Sequence, residues 1–180
     1  LALCILDSGA DHADLTDEYA AIPADCRAVA AVCGGEVLRE VPFETFLAKL
    51  PECRRQCGDR AVLRAFHVYA DNDRVAKQVE ALRAGDFDAF LQLVNESGLS
   101  SWEYLQNVIP AGYKEHQEVA VTIAAAKHIL NGHGAVRVHG GGFAGTVQAF
   151  VPVELLADFK AQMETILGEG RCHVLSIRPE

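Results

Sequence analysis

No stretch of this 180-residue chain approaches the roughly 18 consecutive apolar residues of a membrane helix, although half of its residues are hydrophobic. That excludes a helical membrane span and predicts a soluble globular protein with no membrane partner. Positive charge is also short: sixteen Lys and Arg face twenty-five Asp and Glu, for a formal charge of −9 spread along the chain. Such a field repels nucleic acid, whose binding needs a basic face, and leaves room only for a local positive pocket. The six cysteines include no C-x-x-C pair and no histidine at zinc-finger spacing, so no metal ligand set is visible. Cys53 and Cys57 stand four apart and suit buried thiols facing each other on a helix; with no disulfide framework, a reducing cytoplasm is the expected compartment. No repeat, linker or low-complexity tract divides the chain, which predicts one α+β domain over residues 1–180. The chain opens at Leu1 inside an apolar run and without an initiator methionine, which predicts that the gene product starts upstream.

The elements that are present alternate clearly. Leu1 to Leu6 reads as a strand ended by Asp7-Ser8-Gly9. A helix follows from Thr16 to Cys33, with Pro23 at a first turn or kink and Gly34-Gly35 as its stop. Pro42 opens a short helix to Leu50, which Pro51 closes. From Asp59 to Leu82 the period is helical, Gly85 ends it, and Asp86 caps a partner over Phe87–Val94. The short link predicts an antiparallel helix pair. Ser97 to Ser101 reads as a polar loop, and a further helix as running from Gly112 or Tyr113 to Leu130. The tail reads as strand 135–139, a glycine cluster, strand 146–151, a helix from Pro152 to Leu167 and a last strand from Cys172 to Ile177.

The cluster Gly140-Gly141-Gly142-Phe143-Ala144-Gly145 is the sharpest local signal. Three consecutive glycines permit positive φ and close approach of the backbone to a neighbour or an anion. Both readings stand at this point: a plain turn between strands, or a turn whose N–H groups face phosphate. No Lys-Ser or Lys-Thr follows, which excludes a Walker loop, and Thr146 opens a strand where a Rossmann fingerprint needs a helix. The histidines are scattered. His67 on an apolar helix reads as a core residue, and His12 as a structural one that hydrogen-bonds where the first strand passes into the first helix.

Four stretches together resemble galactokinases: Asp11-His12 through Glu18-Tyr19; Leu63 to Val68 with Asn72-Asp73-Arg74-Val75; Ala84-Gly85-Asp86-Phe87 through Asn95-Glu96-Ser97; and Gly134-Ala135-Val136-Arg137 through Gly145. Their order and spacing are similar to the C-terminal half of that family, within the superfamily of galactose, homoserine, mevalonate and phosphomevalonate (GHMP) kinases. The resemblance implies an antiparallel sheet packed against helices, with an additional helical block. It implies that the cluster Gly140 to Gly145 lies near the nucleotide phosphates, and that the phenol of Tyr19 helps to hold the sugar. Ala144 stands where family members commonly carry Gly, Asp11 where a basic residue often precedes the histidine, and Gly98 where a histidine tends to follow Ser97.

The same resemblance implies ATP and Mg²⁺ as cofactors, galactose or a related small sugar as substrate, and an N-terminal domain of the same protein as partner. The sugar signature, the ATP loop and the catalytic aspartate and arginine of the family have no counterpart among these residues. No catalytic residue is therefore assigned here, and the chain by itself is expected to be inactive and to hold no cofactor. Two other readings remain: a kinase of the same superfamily acting on another sugar or small alcohol, and a noncatalytic sugar-sensing domain derived from such a kinase.

Overall fold

A computed structural model describes residues 1–11, 14–143 and 145–176. Strand β1 (Ala2–Asp7) leads into helix α1 (Thr16–Val32), and a helical block follows: α2 (Phe43–Ala48), α3 (Leu50–Cys57), α4 (Asp59–Ala84) and α5 (Phe87–Ser100). A single π-helical turn (Ser101–Leu105) closes that block. Helix α6 (Glu118–Leu130), strands β2 (Ala135–Val138) and β3 (Thr146–Val151), helix α7 (Leu156–Leu167) and strand β4 (Cys172–Leu175) complete the chain.

The sheet runs β2-β3-β1-β4, with every neighbouring pair antiparallel. Residues of β1 pair from Ala2↔Val151 to Asp7↔Thr146, and Val138 of β2 pairs with Val147. The end of β1, the end of β2 and the start of β3 therefore meet at one end of the sheet. There the glycine cluster and the segment after Asp7 leave side by side.

Period-two alternation sends Cys4, Leu6, Val136, Val138, Val147, Ala149 and Val151 into one core, where Ile123 and Ala126 of α6 and Phe159 and Met163 of α7 cover them. A second core lies in the helical block around Val29, Phe46, Cys53, Val62 and Ala65. Arg64 ties the block together from inside: it is 1% exposed, donates through Nε to the Leu105 carbonyl at 2.9 Å and pairs with Asp25 at 2.7 Å.

Several boundaries differ from the sequence reading, each for a physical reason. Pro51 lies in the first turn of α3 instead of closing α2, because a first-turn N–H makes no intrahelical bond that proline could lose. Pro23 sits inside α1 without ending it. The stretch Ser97 to Ser101 is not a loop: it completes α5 and enters the π-turn. Gly98 is there for close packing, since a Cβ on it would lie 2.8 Å from Arg137 Cβ and 3.1 Å from the Val136 carbonyl. Helix α6 starts at Glu118, because Gly112 has φ +80°, outside the helical region. The tail helix begins as a 3-10 turn at Val153 and becomes α-helical at Leu156. Asp86 caps α5 as expected, accepting from Ala89 N–H at 3.0 Å, and Gly85 ends α4 in the left-handed region. The last strand ends at Leu175, and its expected end at Ile177 lies outside the described residues.

Candidate functional site

At the shared end of the sheet, β2 passes through His139 into the glycine turn. Gly140, Gly142 and Phe143 all have positive φ, at 60°, 86° and 56°. Two left-handed glycines let the chain reverse without a Cβ penalty, and Phe143 accepts the same conformation because its ring is buried against Leu15. His139 N–H still bonds the Thr146 carbonyl at 2.9 Å, so the turn is an extension of the β2-β3 pair.

Tyr19, on the first turns of α1, reaches this turn across 123 residues of sequence. Its hydroxyl donates to the Gly142 carbonyl at 2.8 Å, and its ring meets Phe143 edge-on with centroids 5.2 Å apart. The two features singled out in the sequence, Tyr19 and the cluster Gly140 to Gly145, are thus in direct contact. Ala144 and His12 lie outside the described residues.

Two further residues that sequence reasoning did not find hold the turn. Ser8 Oγ donates to the Gly145 carbonyl at 2.8 Å, so the Asp7-Ser8-Gly9 strand ending is also an anchor. Asn107 is 1% exposed, just after the π-turn. Its main-chain carbonyl accepts Phe143 N–H at 2.6 Å, and its Nδ2 donates to the Gly141 carbonyl at 3.4 Å. A Cβ on Gly142 would collide with that Asn107 carbonyl. Ser8 stood beside a visible turn signal; Asn107 had none, because its role depends on a contact 34 residues away.

Beside Phe143 opens a cleft of about 260 Å³, walled by Asp14, Leu15, Val108, Tyr113 and His116. Behind the turn, a polar network joins α4, α5 and β2. Arg137 donates to the hydroxyls of Ser97 and Ser101. Ser97 in turn donates to Asp71 at 2.7 Å, and His67 Nδ1 lies 2.8 Å from Ser100 Oγ. Burial pushes both the His67 imidazole and the Arg137 guanidinium below their usual pKa values, since both lose solvent for the charged form. Cys53 is driven up to about 12 by burial and by Cys33, whose Sγ is 3.7 Å away. Its hydrogen-bonded thiol partner is thus Cys33, at the C-cap of α1. Among the described residues no three His, Cys, Asp or Glu side chains are grouped to hold a metal ion.

The described residues form an α+β fold: an antiparallel sheet in the order β2-β3-β1-β4, covering helices and an additional helical block. No family model matches the chain. In sequence the chain is related to the C-terminal part of galactokinases. It is 30% identical over 160 residues to the galactokinase of Mannheimia succiniciproducens, covering 89% of this chain and 40% of that protein. To the galactokinase of Glaesserella parasuis it is 32% identical over 152 residues, covering 84% and 38%. The crystal structure of Lactococcus lactis galactokinase complexed with galactose shares the fold, with a TM-score of 0.73 at 21% identity over 97% of this chain and 44% of that one. The chain therefore spans about two fifths of the length of the curated relatives it matches. No helix of the described residues is long and apolar enough to cross a membrane.

Proposed function

We propose that these residues form the C-terminal domain of a galactokinase, which transfers the γ-phosphoryl group of ATP to the anomeric hydroxyl of galactose. Kinship with galactokinases supports the reaction class. The observation that carries the site is the contact of Tyr19 with Gly142: it sets a sugar-sized hydrogen-bonding group against a turn rich in free backbone.

The residues present fit a phosphate group in part. Gly140 and Gly141 are exposed and Gly142 is buried, and the amides of all three donate to no described residue. Backbone N–H groups of this kind can cradle anionic oxygens. For Mg²⁺, no three acidic or other metal-ligating side chains of the described residues are grouped together. A further segment of the same protein is accordingly proposed to bind the metal and to supply the general base and the cationic group. When bound, ATP supplies the phosphoryl group and its charge.

The chain's own residues position and enclose. Ser8, Asn107 and Tyr19 brace the glycine turn so that its amides need not reorganise when charge develops. The Tyr19 oxygen, having donated its proton to Gly142, keeps acceptor capacity for a sugar hydroxyl. The six free thiols, including Cys33 and Cys53, whose sulfurs share a 3.7 Å hydrogen bond and no disulfide, suit a cytoplasmic setting.

The test is ADP release by the full-length gene product across a panel of galactose, its deoxy analogues, other hexoses and small alcohols. Galactose is expected to be preferred, with analogues that lack one bonded hydroxyl rejected strongly. Preference for another alcohol makes it a different GHMP kinase, and binding of galactose without turnover makes it a sensor.

A further inference from the structure

Among the described residues, Asn107 Oδ1 is buried and has no hydrogen-bond partner. A buried carbonyl oxygen left unpaired bears its full desolvation cost, so its retention at the back of the glycine turn calls for an explanation. The atom sits on the same carboxamide whose Nδ2 makes the long 3.4 Å bond to the Gly141 carbonyl. In a planar trans peptide the C=O of Gly141 and the N–H of Gly142 point in opposite directions. With the carbonyl turned to Asn107, the Gly142 N–H is turned away from it, and it donates to no described residue.

We propose that Asn107 is a positioning residue that selects the orientation of the Gly141-Gly142 peptide. In the orientation seen here Nδ2 holds the Gly141 carbonyl, and the Gly142 amide is left for an anionic oxygen. If the peptide turns over, Gly142 N–H comes to face the carboxamide, a turn of the carboxamide about its Cβ–Cγ bond presents Oδ1 to it, and the Gly141 carbonyl takes the amide's place, which repels an anion. The carboxamide suits both orientations because it offers a donor and an acceptor side by side. The peptide is free to turn because glycine stands on both sides of it, and Gly142 tolerates either sign of φ. Asn107 itself is held by its main-chain bond to Phe143 N–H, so the side chain has a fixed base from which to act.

The anion-facing half of this inference rests on the kinase reading above; the orientation itself does not. Asn107→Asp replaces the donor with a second acceptor while keeping shape. In the full-length gene product at pH 7.5 its carboxylate is expected to repel the Gly141 carbonyl and capture Gly142 N–H. With glycine labelled by ¹⁵N, the Gly142 amide resonance should shift and its hydrogen exchange should slow. The KM for ATP should rise about tenfold or more, while the KM for galactose stays within about twofold of wild type. As the pH falls and the carboxyl is protonated it can donate again, so the resonance and the ATP response should return toward wild type, measured per folded molecule. Asn107→Ala, which can do neither, should show no such recovery. An unmoved Gly142 amide in Asn107→Asp, or identical behaviour of the Asp and Ala variants at every pH, overturns the proposal and leaves Asn107 as packing. If wild type fails to phosphorylate galactose, the kinase reading falls and the amide measurement still decides the role of Asn107.

Discussion

At the scale of single residues, neighbouring glycines in the turn do different work, and substitutions separate them. Gly142 has φ +86° and lies against the Asn107 carbonyl. Gly142→Ala therefore combines a left-handed backbone, costing of order 1–3 kcal/mol, with a collision that breaks the Phe143 to Asn107 bond. Its expected result is a lower thermal midpoint, read by calorimetry. Gly141 has no positive φ, and a Cβ there would meet the Tyr19 ring at 2.9 Å. Gly141→Val should displace Tyr19 and cut turnover per folded molecule while the melting temperature changes little. Normal turnover per folded molecule would reduce Gly141 to a hairpin glycine. Tyr19→Phe removes one hydroxyl and its bond to Gly142, a loss of about 0.5–1.5 kcal/mol. It should weaken galactose use more than ATP use in steady-state assays, and an unchanged sugar response would assign the phenol to bracing the turn alone.

Among the elements, α4 and α5 are joined to β2 by charge and hydroxyl groups as well as by apolar contact. His67 faces Asp71 from its own helix, Ser100 from α5 and Arg137 from β2. Burial holds its folded pKa below 6.5, the ordinary value. The unfolded chain then binds a proton that the folded chain refuses, so this contribution to stability is complete above pH 6.5 and is lost as the pH falls from there toward the folded value. Urea midpoints measured from pH 7.5 to 5.5 should drop more steeply for wild type than for His67→Gln, which keeps a polar partner for Ser100 without titrating. Parallel profiles would show that His67 stays solvated or that its neighbours cancel the effect. The helices themselves were largely legible. Alternation and caps mark β1, α4, α5's start and the β2-turn-β3 unit. Pro51 and Gly98 were misread because proline and glycine have two uses each, as punctuation and as first-turn or close-packing residues, and only the neighbouring β2 backbone tells which applies at Gly98.

For the whole molecule, two large apolar cores and a small Leu15–Phe143 cluster carry the proposed site at one end. The sheet core fixes where the turn emerges, and the helical block supports it through Arg64, the π-turn and Asn107. On the proposed division of labour this arrangement positions groups, and the general base and the cation come from a further segment of the same protein. The 180-residue polypeptide alone is therefore expected to give no galactose-dependent ADP release under conditions where the full-length gene product is active. Turnover that tracks its concentration through purification would defeat the proposed division of labour.

The sequence by itself determined the α+β class, the glycine turn between two strands and the likeness to galactokinases, which in turn pointed to Tyr19. Those signals are local: φ freedom, period-two and helical spacing, and short motifs in order. Tertiary structure alone decided that Tyr19 reaches Gly142, that Ser8 and Asn107 clasp the turn, and that Cys53 faces Cys33. These contacts join residues 20 to 137 positions apart, and their partners are chosen by strand register and helix packing, which no local pattern encodes.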